Sequence, residues 1–285
     1  MMSSLLDVLT TKIPLGEGVA WMVDFFTTRF SSEFRALSQG VESAIGALEW
    51  CLGAVHPLVL IALFAVLAWV VRRSKAVVVF CLAGFALILN LGLWEAMIQT
   101  LALIATATVL CLALGIPWGI VTAHNRTAHL ITRPILDLMQ TIPAFVYLIP
   151  ALMFFGLGAV PGVFATVVFA MPPVIRLTCL GIQQVPTERI EAGKAFGASP
   201  WQLLVKIEFP SAMPSILMGI NQTIMLALSM VVIAALIGAE GLGGAVMRSL
   251  AIVDVGMGFE SGLGIVVLAM LLDRIVRSEG TGGRA

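Results

Sequence analysis

Residues 183–211 read QQVPTERIEAGKAFGASPWQLLVKIEFPS, a polar island between two long apolar runs. Thr187 is a candidate N-cap for a short helix through Phe196, and Gly197 supplies the left-handed residue that ends it. Ser199 and Gln202 have capping-box spacing, with Pro200 at the first position of a second helix. The pattern predicts a helix-turn-helix whose tip, Gly197-Ala198-Ser199, is small and tightly turned. Ala192, Gly193 and Ala195 leave little side-chain bulk on the first helix. A compact knob of this kind suits a cleft in another protein and can pass on a rigid-body push. Local physics alone favours a plainer reading, a connecting loop with ordinary caps.

The flanking runs set the class. Spanning helices are expected at 51–71, 76–94, 96–123, 141–160, 161–182, 212–238 and 261–277, each near the ~20 residues that cross the hydrocarbon. Between Thr141 and Pro173 five prolines and Gly156, Gly158 and Gly162 interrupt the pattern. There Gly158-Ala159-Val160-Pro161-Gly162 is expected to form a tight turn between two helices in the protein interior. Upstream, Met22, Phe26, Phe30, Phe34, Leu37, Val41, Ile45 and Leu48 recur at helical spacing. This amphipathic helix either lies in the membrane interface or packs on the rest of the protein or a partner.

Composition agrees. The 285 residues are 60% hydrophobic and 11% charged, with a mean hydropathy of +1.05, which excludes a soluble globular enzyme. Sixteen basic residues balance sixteen acidic ones at a pI near 6.8, so no basic excess points to nucleic acid. Cys51, Cys81, Cys111 and Cys179 fall in apolar stretches without zinc-ligand spacing. The N-terminus lacks the pattern of a secretory signal and is expected to remain in the mature chain. Seven spans put 11 cations on the side of the 183–211 loop and 4 on the other, Arg176 uncounted. The positive-inside rule then places the N-terminus outside and the C-terminus in the cytoplasm.

Ionisable groups are scarce at depth, which argues against a proton relay, although sodium coupling through backbone carbonyls would leave no charged signature. Arg176, near the expected cytoplasmic end of the fifth span, fits a snorkelling arginine better than a gate. Candidate pathway residues are Thr100 and Thr106 on the third span, Thr141 and Tyr147 on the fourth, and Asn221, Thr223 and Ser229 on the sixth. Gln99, Thr108 and Gln222 are further polar candidates, with Met225 and Met230 as adaptable wall. For each one alone, helix-helix glue outweighs pore lining. Gly238, Gly241, Gly243 and Gly244 are expected to shape a turn at the outer end of the sixth span, and the chain contains no phosphate-binding loop ending in Gly-Lys-Ser/Thr.

The 183–211 loop resembles the cytoplasmic signature of ATP-binding-cassette (ABC) importer permeases: Glu-Ala-Ala, three residues, Gly, nine residues, Ile, one residue, Leu-Pro. Here stand Glu191-Ala192-Gly193, Gly197, Ile207 and Phe209-Pro210, with Gly193 and Phe209 departing from the pattern. The stretch from Asp137 to Pro150 (DLMQTIPAFVYLIP), Phe155-Gly156-Leu157-Gly158, Ile237-Gly238-Ala239-Glu240-Gly241-Leu242-Gly243 and Leu271-Leu272-Asp273-Arg274 look like the glycine betaine/proline branch. The resemblance implies an all-α, polytopic type I ABC importer permease (MetI-like) fold in a bacterial inner membrane. It implies an N-terminal segment over 1–50, two peripheral spans over 51–94, a permease core over 95–277 and a tail over 278–285. It also implies a second copy of the chain, two cytoplasmic ATPase subunits that bind ATP and Mg2+, an external solute-binding protein and surrounding lipid. Coupling to the ATPase would fall to Glu191, Ala192, Gly193, Gly197, Ala198 and Ser199. The expected substrate is glycine betaine or a related amine such as choline, carnitine, proline or trimethylamine oxide. A self-sufficient transporter or channel, an ABC permease for an unrelated solute and a non-transport scaffold are the alternatives.

Overall fold

The structure, a computed structural model, describes residues 15–276. Lys12, Arg277, Arg284 and the expected tail 278–285 lie outside the described residues. The described residues form helices and turns without a strand.

The N-terminal region is two helices, α1 (Leu15–Arg29) and α2 (Ser31–Gly53), where the apolar spacing predicts one. Val41 and Ile45 of α2 are buried, and α2 packs on helix α5 (Trp94–His124). Phe34 stacks on Phe154 with ring centroids 4.7 Å apart, whereas Met22, Phe26, Phe30 and Leu37 of the expected apolar face are exposed. The chain then bends by 100° into α3 (Pro57–Arg72), so residues 51–53 of the expected first span belong to α2. Pro57 opens α3 where its missing N–H has no helical partner to lose, and His56 Nδ1 accepts from Leu58 N–H. Helix α4 (Lys75–Asn90) folds back on α3, with Phe64 stacked on Phe85.

The core is a helix sandwich. Helix α9 (Pro172–Gln183) lies between α5 and α12 (Phe209–Ala234). Its approach to α5 depends on Gly115 and Gly119, one turn apart on one face. A methyl group on Gly119 would sit 2.7 Å from Thr178 Cβ and 2.9 Å from the Ile175 carbonyl oxygen, so only glycine admits this contact. Helix α8 (Ala159–Ala170) precedes α9 in one 25-residue apolar rod.

Several boundaries differ from the expected ones. The expected fourth span is replaced by α6 (Arg126–Thr141), a 105° bend, a 3-10 turn (Ala144–Tyr147) and α7 (Leu148–Phe155). Ile142, forced out of the helical region by Pro143, is the bend. The glycine turn sits at Gly156 (φ +79°) and Gly158 (φ +122°), a few residues earlier than expected, because Pro161 is accommodated in the first turn of α8. The sixth span starts far upstream: α11 (Pro200–Leu203), a π-turn (Leu204–Glu208) and α12 form part of one apolar rod, Pro200–Ile237, 38 residues long. Gly238 and Gly241 turn the chain, but Gly243 and Gly244 lie inside a short helix, α13 (Leu242–Ile252), which the glycine-rich sequence hides. The last helix, α14 (Val255–Val276), begins six residues before expected. Among the described residues four helices are long and apolar enough to cross a membrane, or six if each bent pair is one span. Helix α4, a largely apolar helix of 16 residues rising about 24 Å, is the remaining expected span.

Candidate functional site

The 183–211 loop folds as a helix-turn-helix. Its first helix, α10 (Thr187–Ala195), starts behind Pro186, and Thr187 makes no side-chain cap, which corrects the expected N-cap. Pro186 holds the extended conformation of a cap itself and lacks the N–H that would need a partner. Gly197, at φ +77°, closes a Schellman motif: its N–H donates to the Lys194 carbonyl oxygen at 2.9 Å, and Ala198 N–H to that of Gly193 at 3.0 Å. The Ser199–Gln202 capping box forms as expected, with both reciprocal hydrogen bonds in place.

Glu191, Ala192, Gly197 and Ser199 are exposed around the tip, and Ala198 is half-buried. Gly193 is buried instead: a methyl there would come 2.5 Å from Ile207 Cδ1 and 2.6 Å from Leu203 Cδ2. It lets the two helices of the knob close on each other. Two large apolar side chains missed from sequence flank the small tip, Phe196 at 92% exposure and Trp201 at 71%. Their signal was their place beside the small Gly197-Ala198-Ser199 tip. Arg189 Nη1 donates to Ser211 Oγ at 3.3 Å and ties α10 to the start of α12.

Among the described residues no hydrogen bond joins one candidate pathway residue to another. Thr100 Oγ1 accepts from Leu242 N–H at 2.9 Å, and so caps α13. Thr106 and Ser229 donate to carbonyl oxygens one turn back in their own helices, and Thr141 to that of Leu138. Tyr147 donates to the Met139 carbonyl oxygen across the 105° bend. Asn221 Nδ2 donates to Asp273 Oδ1 at 3.0 Å, joining α12 to α14. The Thr223 hydroxyl is fully buried with no hydrogen-bond partner. Six of these seven side chains thus make a hydrogen bond within the chain.

Three polar pairings went unseen from sequence because each joins distant segments. Gln99 Nε2 donates to Glu240 Oε2 at 2.7 Å, beside a cavity of about 490 Å3 that Glu42, Glu49 and Phe155 also line. Arg176 Nη2 donates to Asp137 Oδ1 at 2.6 Å, so the expected snorkelling arginine has an ionic partner. His124 Nε2 lies 2.8 Å from Glu208 Oε2. Among the described residues no group of three or more His, Cys, Asp or Glu is placed to hold a metal.

Comparison with known proteins extends this geometry. Residues 115–277 match the family described as binding-protein-dependent transport system inner membrane component. The chain is 46% identical to the glycine betaine transport system permease protein OpuAB of Bacillus subtilis, over 94% of each chain. It is 44% identical to the glycine betaine/proline betaine transport system permease protein ProW of Escherichia coli, over 96% of this chain and 77% of that one. A solved structure of the MetNI methionine ABC transporter in inward facing conformations superposes with a TM-score of 0.57 at 23% identity, over 62% of this chain and 91% of that one, which establishes the MetI-like fold. With its core fold and nearly its whole length shared in this way, the chain belongs to the binding-protein-dependent transport system inner membrane components, the multi-pass permease subunits of ABC importers.

Proposed function

We propose that this permease carries glycine betaine or a closely related quaternary amine, handed over by an external solute-binding protein and driven by two cytoplasmic ATPase subunits. The 46% identity to a glycine betaine permease over nearly the full length of both chains carries the substrate assignment. Choline, carnitine, proline and trimethylamine oxide are the chemically adjacent solutes. A compact amine whose charge is selected elsewhere, by cation–π contacts in the binding protein, needs only a weakly polar passage here.

In this reading the α10–α11 knob is the element that meets the ATPase, through Glu191, Ala192, Gly197, Ala198 and Ser199, with Gly193 holding the knob closed from inside. Phe196 and Trp201 add exposed apolar area beside the small tip, the residue types that anchor interfaces. ATP and Mg2+ belong to the partner subunits, which close on ATP and displace the knob. The displacement enters the membrane directly, because the second helix of the knob is the start of the 38-residue rod Pro200–Ile237. That continuity, about 57 Å of helix, supports a push on the loop becoming a tilt of the span. A second copy of the chain completes the pathway between two such cores, lipid surrounds them, and the N-terminus lies outside with the C-terminus in the cytoplasm.

The test is uptake of labelled glycine betaine and choline by liposomes that hold this chain with its ATPase and binding protein, with and without internal ATP. Accumulation that needs both ATP and the binding protein is the expected result. Flux through this chain alone, independent of ATP, would overturn the coupling reading, and ATP turnover without flux of either amine would overturn the substrate assignment.

A further inference from the structure

His124 is the last residue of α5, and both of its ring nitrogens face oxygen. Nδ1 lies 2.9 Å from the Ile120 carbonyl oxygen and Nε2 lies 2.8 Å from Glu208 Oε2. Each ring nitrogen thus has an oxygen within hydrogen-bond distance, one on its own helix and one on Glu208. Glu208 is 7% exposed, the one charged residue in the buried class among the described residues. A buried carboxylate is costly without a hydrogen-bond partner, and the half-exposed His124 side chain supplies one from the edge of the packing. Glu208 also ends the π-turn Leu204–Glu208, the irregular turn between the knob and α12.

The opposite end of α5 is held as well. Gln99 bonds Glu240, and Thr100 accepts from Leu242 N–H, both just beyond the far end of the Pro200–Ile237 rod. Helix α5 is therefore pinned to the two ends of one rod: at Glu208 where the rod leaves the knob, and at Glu240 and Leu242 past its exit. Two rods fastened at both ends move as one frame.

We propose that the His124–Glu208 contact is the joint through which motion of the knob is imposed on α5, and through α5 on the Gln99–Glu240 contact at the far face. His124 is a positioning residue in this role, acting on the pathway through α5. The proposal rests on the coupling role of the knob given above.

Two polar replacements of similar size separate the joint from general packing. His124→Gln keeps a donor near the position of Nε2 and reaches Glu208. His124→Asn keeps a donor near the position of Nδ1, reaches the Ile120 carbonyl oxygen and falls short of Glu208. The complete transporter, with its ATPase and binding protein in liposomes, is assayed for glycine betaine moved per ATP hydrolysed. His124→Gln is expected within about twofold of the parent, and His124→Asn about fivefold or more below it with ATP turnover retained. Glu208→Ala should lower the ratio as His124→Asn does, and the double variant should be no worse than either single one. Equal ratios for the Gln and Asn variants would overturn the joint. Gly197→Asp is the control: if it leaves the ratio unchanged the knob is not the coupling element, whereas an uncoupled Gly197→Asp beside a normal His124→Asn overturns the joint alone.

Discussion

Arg176 on α9 and Asp137 on α6 are joined by a 2.6 Å ion pair that closes one side of a cavity of about 320 Å3, lined also by His129, Arg133 and Ile175. Their side chains are 42% and 57% exposed, so the charges are well solvated in the isolated chain. An exposed pair of this kind contributes at most about 1 kcal/mol. Arg176→Ala is therefore expected to change stability by no more than that, with the charge-reversed pair Arg176→Asp and Asp137→Arg recovering most of it. Thermal unfolding of the purified chain in detergent measures both. A single-variant loss several times larger would mean that the pair is less solvated in the folded chain than its exposure implies.

At Gly197 the backbone rather than space is limiting, because nothing lies within 4 Å of where a Cβ would be. Asparagine tolerates the left-handed region and valine does not, a difference of about 1–2 kcal/mol. Gly197→Asn is expected to keep ATP-driven uptake and Gly197→Val to lose it while the complex still assembles. Parent-like uptake by the valine variant would show that the Schellman closure is dispensable.

These two sites differ in how far sequence revealed them, and the difference is one of range. Gly197 and the Ser199–Gln202 box act within a few residues, so their spacing alone located the turn. Helix α6 was missed because average polarity hid it, although Arg126, His129, Arg133, Asp137 and Gln140 recur at steps of three and four along one face. The bend after it was encoded in Ile142-Pro143, where the residue before proline cannot stay helical. Partners such as Gln99 and Glu240, 141 residues apart, or His124 and Glu208, 84 apart, left no local trace. Only the packing of α5 along the Pro200–Ile237 rod brings them together.

The approach of α5 to α9 at Gly119 predicts a sharp steric limit. A methyl group there would meet the Ile175 carbonyl oxygen at 2.9 Å, and a backbone atom cannot rotate aside as a side-chain tip can. Overpacking of this kind costs about 1–3 kcal/mol. Gly119→Ala is expected to lower the melting temperature, and Gly119→Leu to prevent accumulation of folded chain in the membrane. Substitution at Gly46, where a Cβ would have open space, is the matched control and should be silent in both assays.

Thr100 offers the reverse case, in which the hydroxyl matters more than the volume. Its Oγ1 accepts from the N–H of Leu242, a residue with no exposed surface, at the start of α13. Valine has nearly the same shape and leaves that N–H without a partner, at a cost of about 1–3 kcal/mol. Serine keeps the acceptor and removes one methyl group, worth about 0.8 kcal/mol. The expected order of melting temperature is therefore parent, then Thr100→Ser, then Thr100→Val, the opposite of what a purely apolar contact between α5 and α13 would give. A valine variant as stable as the parent would mean that α13 finds another acceptor. If the order holds, the serine variant should also keep more uptake than the valine variant, because the same bond fastens α5 to the turn beyond the Pro200–Ile237 rod.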